Sequence, residues 1–291
     1  MVDKRIIGGG SVHGIGRQSS TVGSVRIDNA NKEADMREVT LAGHRVMLYT
    51  SIEELPMARF QKYNKNLLID AGIGGDMTAF DGHIERAVQF IKDGKREDAG
   101  KELQNLRQNV YMVISETNPN HLSFACLVKE IDGKPMDDMS DEGLQRVVAM
   151  LGDVPVNELM TERESVKKKI GSELTAYFPA LFDDAKTKEF YDIIKARTQA
   201  VLQSVIEGVT DELAKDIERL TGALLTYSKP LSFTGTDNAE VEYDKRYEDM
   251  CLVISQNVHR DAKTFTVMEF YNAYLFMERQ NKREKRQNKA R

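Results

Sequence analysis

The residues in this sequence that could do chemistry are not spaced to do it together. Its five histidines, His13, His44, His83, His121 and His259, are scattered. None forms the H-x-x-x-H or H-E-x-x-H pattern that puts two imidazoles on one helix face around a metal ion. A lone histidine at a helix start, as at His121, reads as a surface or capping group. The two cysteines, Cys126 and Cys251, lie among apolar neighbours (Phe124, Ala125, Leu127; Met250, Leu252, Val253) with no further ligand at metal-binding spacing. They read as buried free thiols. Acidic pairs occur at Asp137 and Asp138, Asp141 and Glu142, and Asp183 and Asp184. A calcium loop needs alternating oxygen ligands, a turn glycine and a closing glutamate. Asp132 and Gly133 lack the rest of that pattern, and the acidic pairs suit helix N-termini, where negative charge is favoured. The glycine stretch at 8–16 has no Gly-Lys-Ser/Thr and no G-x-G-x-x-G in a strand-to-helix unit, so it does not read as a phosphate loop. There is no G-x-S-x-G elbow and no Cys–His signature. The expectation is a non-enzymatic protein that uses no cofactor and no metal.

Two regions look instead as though they meet partners. Near the C-terminus, Thr266-Val-Met-Glu269 has the form of a capping box. The helix it opens begins with Phe270, Tyr271, Tyr274 and Phe276 and ends in Arg279, Lys282, Arg283, Lys285, Arg286, Lys289 and Arg291. Residues 279–291 hold seven Lys/Arg against one acid, or +6 of a total of −5, which leaves −11 for everything before them. Two readings of this helix stand side by side. Its aromatics are core and its end is merely solvated, or aromatics and cations together contact nucleic acid or an acidic neighbour. On the second reading Phe270, Tyr271 and Tyr274 are interface residues, and the seven basic residues meet DNA or an acidic protein. At the other end, residues 1–50 are rich in Gly, Ser and Val. Their first part cannot bury enough apolar surface to offset its conformational entropy alone. An extended arm ordered against another chain is expected, with Ile6, Ile7, Val12, Val22, Val25 and Ile27 as its contact residues.

The elements that would position these regions are mostly helices. Hydrophobic residues make up 41% and charged residues 30% of the 291, enough for a real core under a solvated surface. The expected fold class is mainly α, a multi-helix bundle with an extended, partly β N-terminal arm and a basic C-terminal helix. Residues 39–49 suggest one or two short strands around Gly43. Helical spacing follows. One apolar face carries Phe60, Tyr63 and Leu67 behind Pro56, and a second carries Phe80, Ile84, Val88 and Ile91. The clearest seam is Ala99, Leu103, Leu106, Val110 and Val113. Asn118 and Pro119 open a helix expected to pass through Phe124 and Val128 and close at Gly133. Ser140 starts another, and longer helices run from Pro155 to about Phe178, from about Phe182 or Thr187 to Gly208, and from Thr210 through Leu224. The expected division is an arm at 1–50, a helical core domain at 51–228, a loop or hinge at 229–240, and a C-terminal helical pair with a basic tail at 241–291. No apolar run approaches the roughly 20 residues of a membrane span, and the N-terminus has no signal-peptide core. The chain is therefore expected to start its life in a cytoplasm.

Four segments carry a resemblance: Glu54-Leu-Pro-Met-Ala-Arg-Phe60, Leu68-Ile-Asp-Ala-Gly-Ile-Gly74, Glu102-Leu-Gln-Asn-Leu-Arg-Gln-Asn109 and Tyr177-Phe-Pro179. Their texture resembles helical proteins of tailed phages of gut Bacteroidota, the crAss-like group among them, over about residues 50–200. The resemblance implies a virion connector or ring protein near the head-to-tail junction. Its partners would be further copies of itself and other virion proteins such as the portal, and the family brings no catalytic residue. An assembly chaperone or scaffold, or a nucleic-acid-binding accessory protein using 270–291, are the alternatives.

Overall fold

Residues with a preference for helix starts mark where several of the helices begin. The computed structural model describes residues 37–289 apart from 153, 183, 184 and 228. Pro56, whose φ is already fixed near the helical value, precedes helix α1 (Met57–Gly72). Helices α2 (Thr78–Lys92) and α3 (Arg96–Ile114) form an antiparallel hairpin after it. The Asn118 side chain accepts from the Asn120 amide at the start of α4 (Pro119–Leu127), and Ser140 accepts from Gly143 at the start of α5 (Asp141–Met150). Then come α6 (Val156–Tyr177), the single turn α7 (Pro179–Phe182), and a second hairpin made of α8 (Ala185–Glu207) and α9 (Asp211–Tyr227). Asn238 caps α10 (Ala239–Val258). The capping box closes as its sequence predicts. Thr266 N donates to Glu269 Oε2 at 3.0 Å and Glu269 N to Thr266 Oγ1 at 3.3 Å, opening α11 (Val267–Lys289).

Four short antiparallel strands accompany the helices, in the order β1 (Arg37–Leu41), β2 (His44–Leu48), β3 (Val128–Ile131), β4 (Lys134–Pro135). The expected strands around Gly43 are β1 and β2. The other two correct the reading of 119–133 as one helix: the helix stops at Leu127 and the chain turns directly into β3. The loop between β3 and β4, Asp132 and Gly133, has positive φ at both residues, as has the loop of Ala42 and Gly43. Two-residue loops of that kind match the strand twist and favour Asp-Gly, so the sequence held a hairpin signal there. Asp132 also joins the two hairpins, accepting from the Arg45 amide at 2.9 Å. Its other oxygen lies 2.7 Å from His44 Nδ1.

The main core lies between one face of this sheet and α1, α4, α6, α10 and α11. α4 is so enclosed that five consecutive residues from Ser123 to Leu127 are buried. The starts of α1 and α11 are stitched together through main-chain bonds, Met57 N to Phe265 O at 2.8 Å and Val267 N to Leu55 O at 2.9 Å. A smaller core joins Ile69 and Ile73 at the end of α1 to Phe233, and there a Cβ on Gly72 would lie 2.3 Å from the Phe233 ring. A third contact, Phe90 with Ala99 and Leu225, attaches α9 to the closed end of the α2–α3 hairpin.

Candidate interaction surfaces

The α2–α3 hairpin is built the opposite way round from its sequence pattern. The predicted core seams were Phe80, Ile84, Val88 and Ile91 on α2 and Ala99, Leu103, Leu106, Val110 and Val113 on α3. In the structure α2 buries His83, Ala87 and Phe90, while Ile84, Val88 and Ile91 are exposed and Phe80 is half-buried. Helix α3 buries Ala99 together with three polar residues, Glu102, Asn105 and Asn109. Leu103 is exposed, and Leu106, Val110 and Val113 are only half-covered.

Polar pairing between the helices accounts for this orientation. His83 is 1% exposed, with Nδ1 2.7 Å from Glu102 Oε2 and Nε2 2.8 Å from the Ile73 carbonyl oxygen. Nδ1 also lies 2.9 Å from Arg86 Nη2, so Glu102 and Arg86 meet the same edge of the ring. Arg86 Nε donates to the second Glu102 oxygen at 3.1 Å. Burial pushes the Glu102 carboxyl upward, but the bonds from His83 and Arg86 outweigh it and hold the group below the usual carboxylate range. Asn109 donates to Asp76 O at 3.0 Å and Asn105 to Leu231 O, also at 3.0 Å. A buried polar group without a partner costs about 1–3 kcal/mol, more if charged. Turning either helix to bury its apolar stripe would break several such bonds at once. The His83–Glu102 pair resembles the base and orienting carboxylate of a catalytic site, yet both nitrogens are occupied and the ring is sealed from solvent.

The remaining residues singled out by type hold structure. His121 is not a cap but half-buried, its Nε2 without a hydrogen-bond partner among the described residues, beside a cavity of about 80 Å³. That volume holds two or three waters at about 30 Å³ each, not a substrate. His259 takes the left-handed position after α10, and His13 lies outside the described residues. Burial pushes the Cys126 thiol up to about 12, and the buried Cys251 thiol is raised as well, so neither is an activated nucleophile. The acidic pair at 137 and 138 includes the cap of the turn into α5, where Asp138 Oδ1 accepts from Ser140 N at 2.9 Å. Asp183 and Asp184 lie outside the described residues. Among the described residues no group of three or more His, Cys, Asp or Glu is placed to hold a metal ion. No family model, curated protein or solved structure matches this chain.

The C-terminal helix places its first aromatics in the core. Phe270 and Tyr271 are buried, and Tyr271 packs edge-on against Phe182 at 5.3 Å between ring centres and against Phe178 at 5.5 Å. Neither ring is free to meet a partner, which corrects their assignment as interface residues; Tyr274 is half-buried. Phe276 is the exposed aromatic of α11. Of the basic residues, Arg279, Lys282 and Arg283 are exposed, with Lys282 paired to Glu278 at 2.7 Å. The helix continues through Lys285 and Arg286 to Lys289, and Arg291 lies outside the described residues. So do Ile6, Ile7, Val12, Val22, Val25 and Ile27 of the arm. The first described residue, Arg37, is held on α6 by Ser165 and by Glu162 at 2.8 Å. Beside them the outer face of α6 carries Asn157, Met160, Thr161, Glu164, Lys168 and Lys169.

A further apolar surface lies at the turn of the α8–α9 hairpin. Val205, Ile206 and Val209 are 75–81% exposed around Gly208, whose φ of +89° reverses the chain, and Leu202 is exposed one turn earlier. No residue of α8 whose side chain is described is buried, and its main packing partner is α9.

Proposed function

We propose that this chain is a non-enzymatic structural subunit that associates with copies of itself, and that the particle it helps build is a tailed phage, at the head-to-tail junction. The outward apolar face of α2–α3 carries the self-association reading. A soluble monomer rarely leaves more than a few hundred Å² of contiguous apolar surface in water, and a larger patch marks a contact with another molecule. Here the exposed stripes are held outward by buried ion pairs and amide bonds, so they belong to the fold itself. The assignment to a phage particle rests on the four sequence segments that resemble crAss-like connector proteins. Two of them meet the site: Leu68-Ile-Asp-Ala-Gly-Ile-Gly74 supplies the carbonyl that His83 contacts, and Glu102-Leu-Gln-Asn-Leu-Arg-Gln-Asn109 supplies the buried polar face of α3.

The N-terminal arm is proposed to interlock neighbouring subunits, reaching them from Arg37 on α6. The experiment is native mass spectrometry of the full chain beside one lacking residues 1–36, over a range of concentrations. A cut at residue 50 would also remove β1 and β2 from the sheet and confuse loss of the arm with loss of the core. The expected result is a defined oligomer in the full chain that shrinks or vanishes without the arm. A monomer in both samples at every concentration overturns self-association, and an unchanged oligomer overturns the role of the arm.

A further inference from the structure

The two apolar stripes of the α2–α3 hairpin lie on the same side of it. On α2 the exposed Ile84, Val88 and Ile91 each follow by one residue the buried His83, Ala87 and Phe90. On α3, Leu103 and Val110 follow the buried Glu102 and Asn109 in the same way, and Ile114 continues their line. One residue is a rotation of about 100° in a helix of 3.6 residues per turn. Because the helices run antiparallel, that rotation carries both stripes to the same face of the pair. The result is a shallow apolar trough between two helix axes, which in packed helices stand about 8–10 Å apart.

The hairpin of α8 and α9 presents the converse shape, an apolar knob. From Thr198 to Ile206 the sequence has no charged residue, although this is the end of the hairpin that projects into solvent. The knob does not sit in its own trough, because both are exposed in the same molecule. Leu225, where α9 meets Phe90 and Ala99, is also fourteen residues from the start of α9, or about 21 Å at 1.5 Å per residue.

We infer that the α8–α9 tip of one copy seats in the α2–α3 trough of the next. Size favours a second copy as the occupant. The exposed trough residues, 39–75% accessible, together offer several hundred Å², on the order of the ~800 Å² each partner gives up in a stable interface. Charge favours it too. Glu207, Asp211 and Glu212 surround the knob, while exposed Arg96 and Arg107 stand in line with the α3 stripe. The acidic Asp81 and Glu85 lie on the flank of α2 turned away from α3. A knob and a trough on opposite parts of one chain form a head-to-tail contact, which closes into a ring or continues as a filament. This inference rests on the self-association reading and names the surfaces that would carry it.

The test uses the full chain with Ile206→Glu in the knob or Val88→Glu in the trough, both at exposed positions, each checked for native helicity by circular dichroism. Sedimentation velocity is expected to show at least a tenfold loss of assembly in either variant. Mixing the two should restore a 1:1 pair and nothing larger, since one chain keeps its trough and the other its knob. If the unmodified chain assembles and Ile206→Glu assembles equally well, the knob is not the contact, while self-association stands. If both variants lose assembly and the mixture does not pair, the knob and the trough do not meet each other, and the head-to-tail contact is wrong. An unmodified chain that stays monomeric overturns the inference and the reading beneath it together. Should a variant misfold, chains carrying Ile206→Cys and Val88→Cys, mixed and oxidised, are expected to cross-link to each other; an assembly that forms without that cross-link counts against the contact.

Discussion

Glu102 is a carboxylate withdrawn from water, and its partners decide what that withdrawal costs. A buried polar group that loses its hydrogen-bond partner costs about 1–3 kcal/mol. We therefore expect His83→Ala to lower unfolding free energy by about 2 kcal/mol, since Glu102 loses one of its two side-chain partners and the Ile73 carbonyl loses its own. Urea denaturation checks this, and a loss below about 1 kcal/mol would mean that Arg86 alone satisfies the carboxylate. The pH dependence has a definite sign. Because the folded-state value of Glu102 is depressed, its contribution is fully present above the ordinary carboxylate value of 4.5 and is lost as the pH falls through the lower folded value. In Glu102→Gln that component is absent, so the variant should differ most from the parent at neutral pH and converge on it in acid. Parallel stability curves from pH 7 to pH 3 would show that Glu102 carries no such linkage.

The ends of elements show where sequence is a sufficient guide and where it is not. Arg59 on α1 is buried and donates to carbonyl oxygens around the end of α4 and the sheet: Val128 O at 2.9 Å, Cys126 O at 3.4 Å, and Met136 O. Carbonyls at a helix end have no partner within the helix, and here the guanidinium supplies one. Its ion pair with Asp137 is a different matter, 3.8 Å long to a carboxylate that is 81% exposed. Arg59→Met is expected to cost about 3 kcal/mol, with Asp137→Asn nearly neutral, and thermal melts of both separate the two contributions. Equal effects would place the stability in the surface pair. Gly133→Ala, forcing a Cβ onto φ +75°, is expected to cost about 1 kcal/mol by the same assay. The helix starts were legible because Pro56, Asn118, Ser140 and Thr266 with Glu269 declare them chemically. Strand β3 was declared only by the Asp132-Gly133 turn after it, because four residues following a helix without a break carry no period of their own. The orientation of α2 and α3 was hidden for another reason. Periodicity shows which residues share a stripe, but not whether the core or a neighbour covers it. Polar pairings between distant residues decide that, among them His83 with Glu102, nineteen residues apart, and Asn105 with the Leu231 carbonyl.

The molecule as a whole has a well-packed body and a projecting hairpin, and they should differ in local stability. Elements with few buried contacts open at a small fraction of the global free energy. The α8–α9 hairpin, attached mainly through Leu225 and the end of α9, is therefore expected to exchange its amide hydrogens well before α1 and α4. Hydrogen exchange read by mass spectrometry on peptides covering 198–212 tests this in dilute solution, where slow exchange equal to that of α4 would mean the hairpin is held elsewhere. The same peptides also bear on assembly. If the knob enters a neighbour's trough, protection of 198–212 rises with protein concentration, and protection over Ile84 to Ile91 and around Leu103 rises in step with it. Protection that rises on the trough alone would point to a contact between troughs. The basic end of α11 offers an independent control, because Arg279, Lys282 and Arg283 lie on neither surface. Removing residues 279–291 should leave this concentration dependence unchanged. If the tail also contacts DNA, the same deletion should abolish a binding affinity that falls steeply with added salt. A deletion that abolished assembly and left DNA affinity intact would reverse those roles, and the tail would have to be placed between subunits.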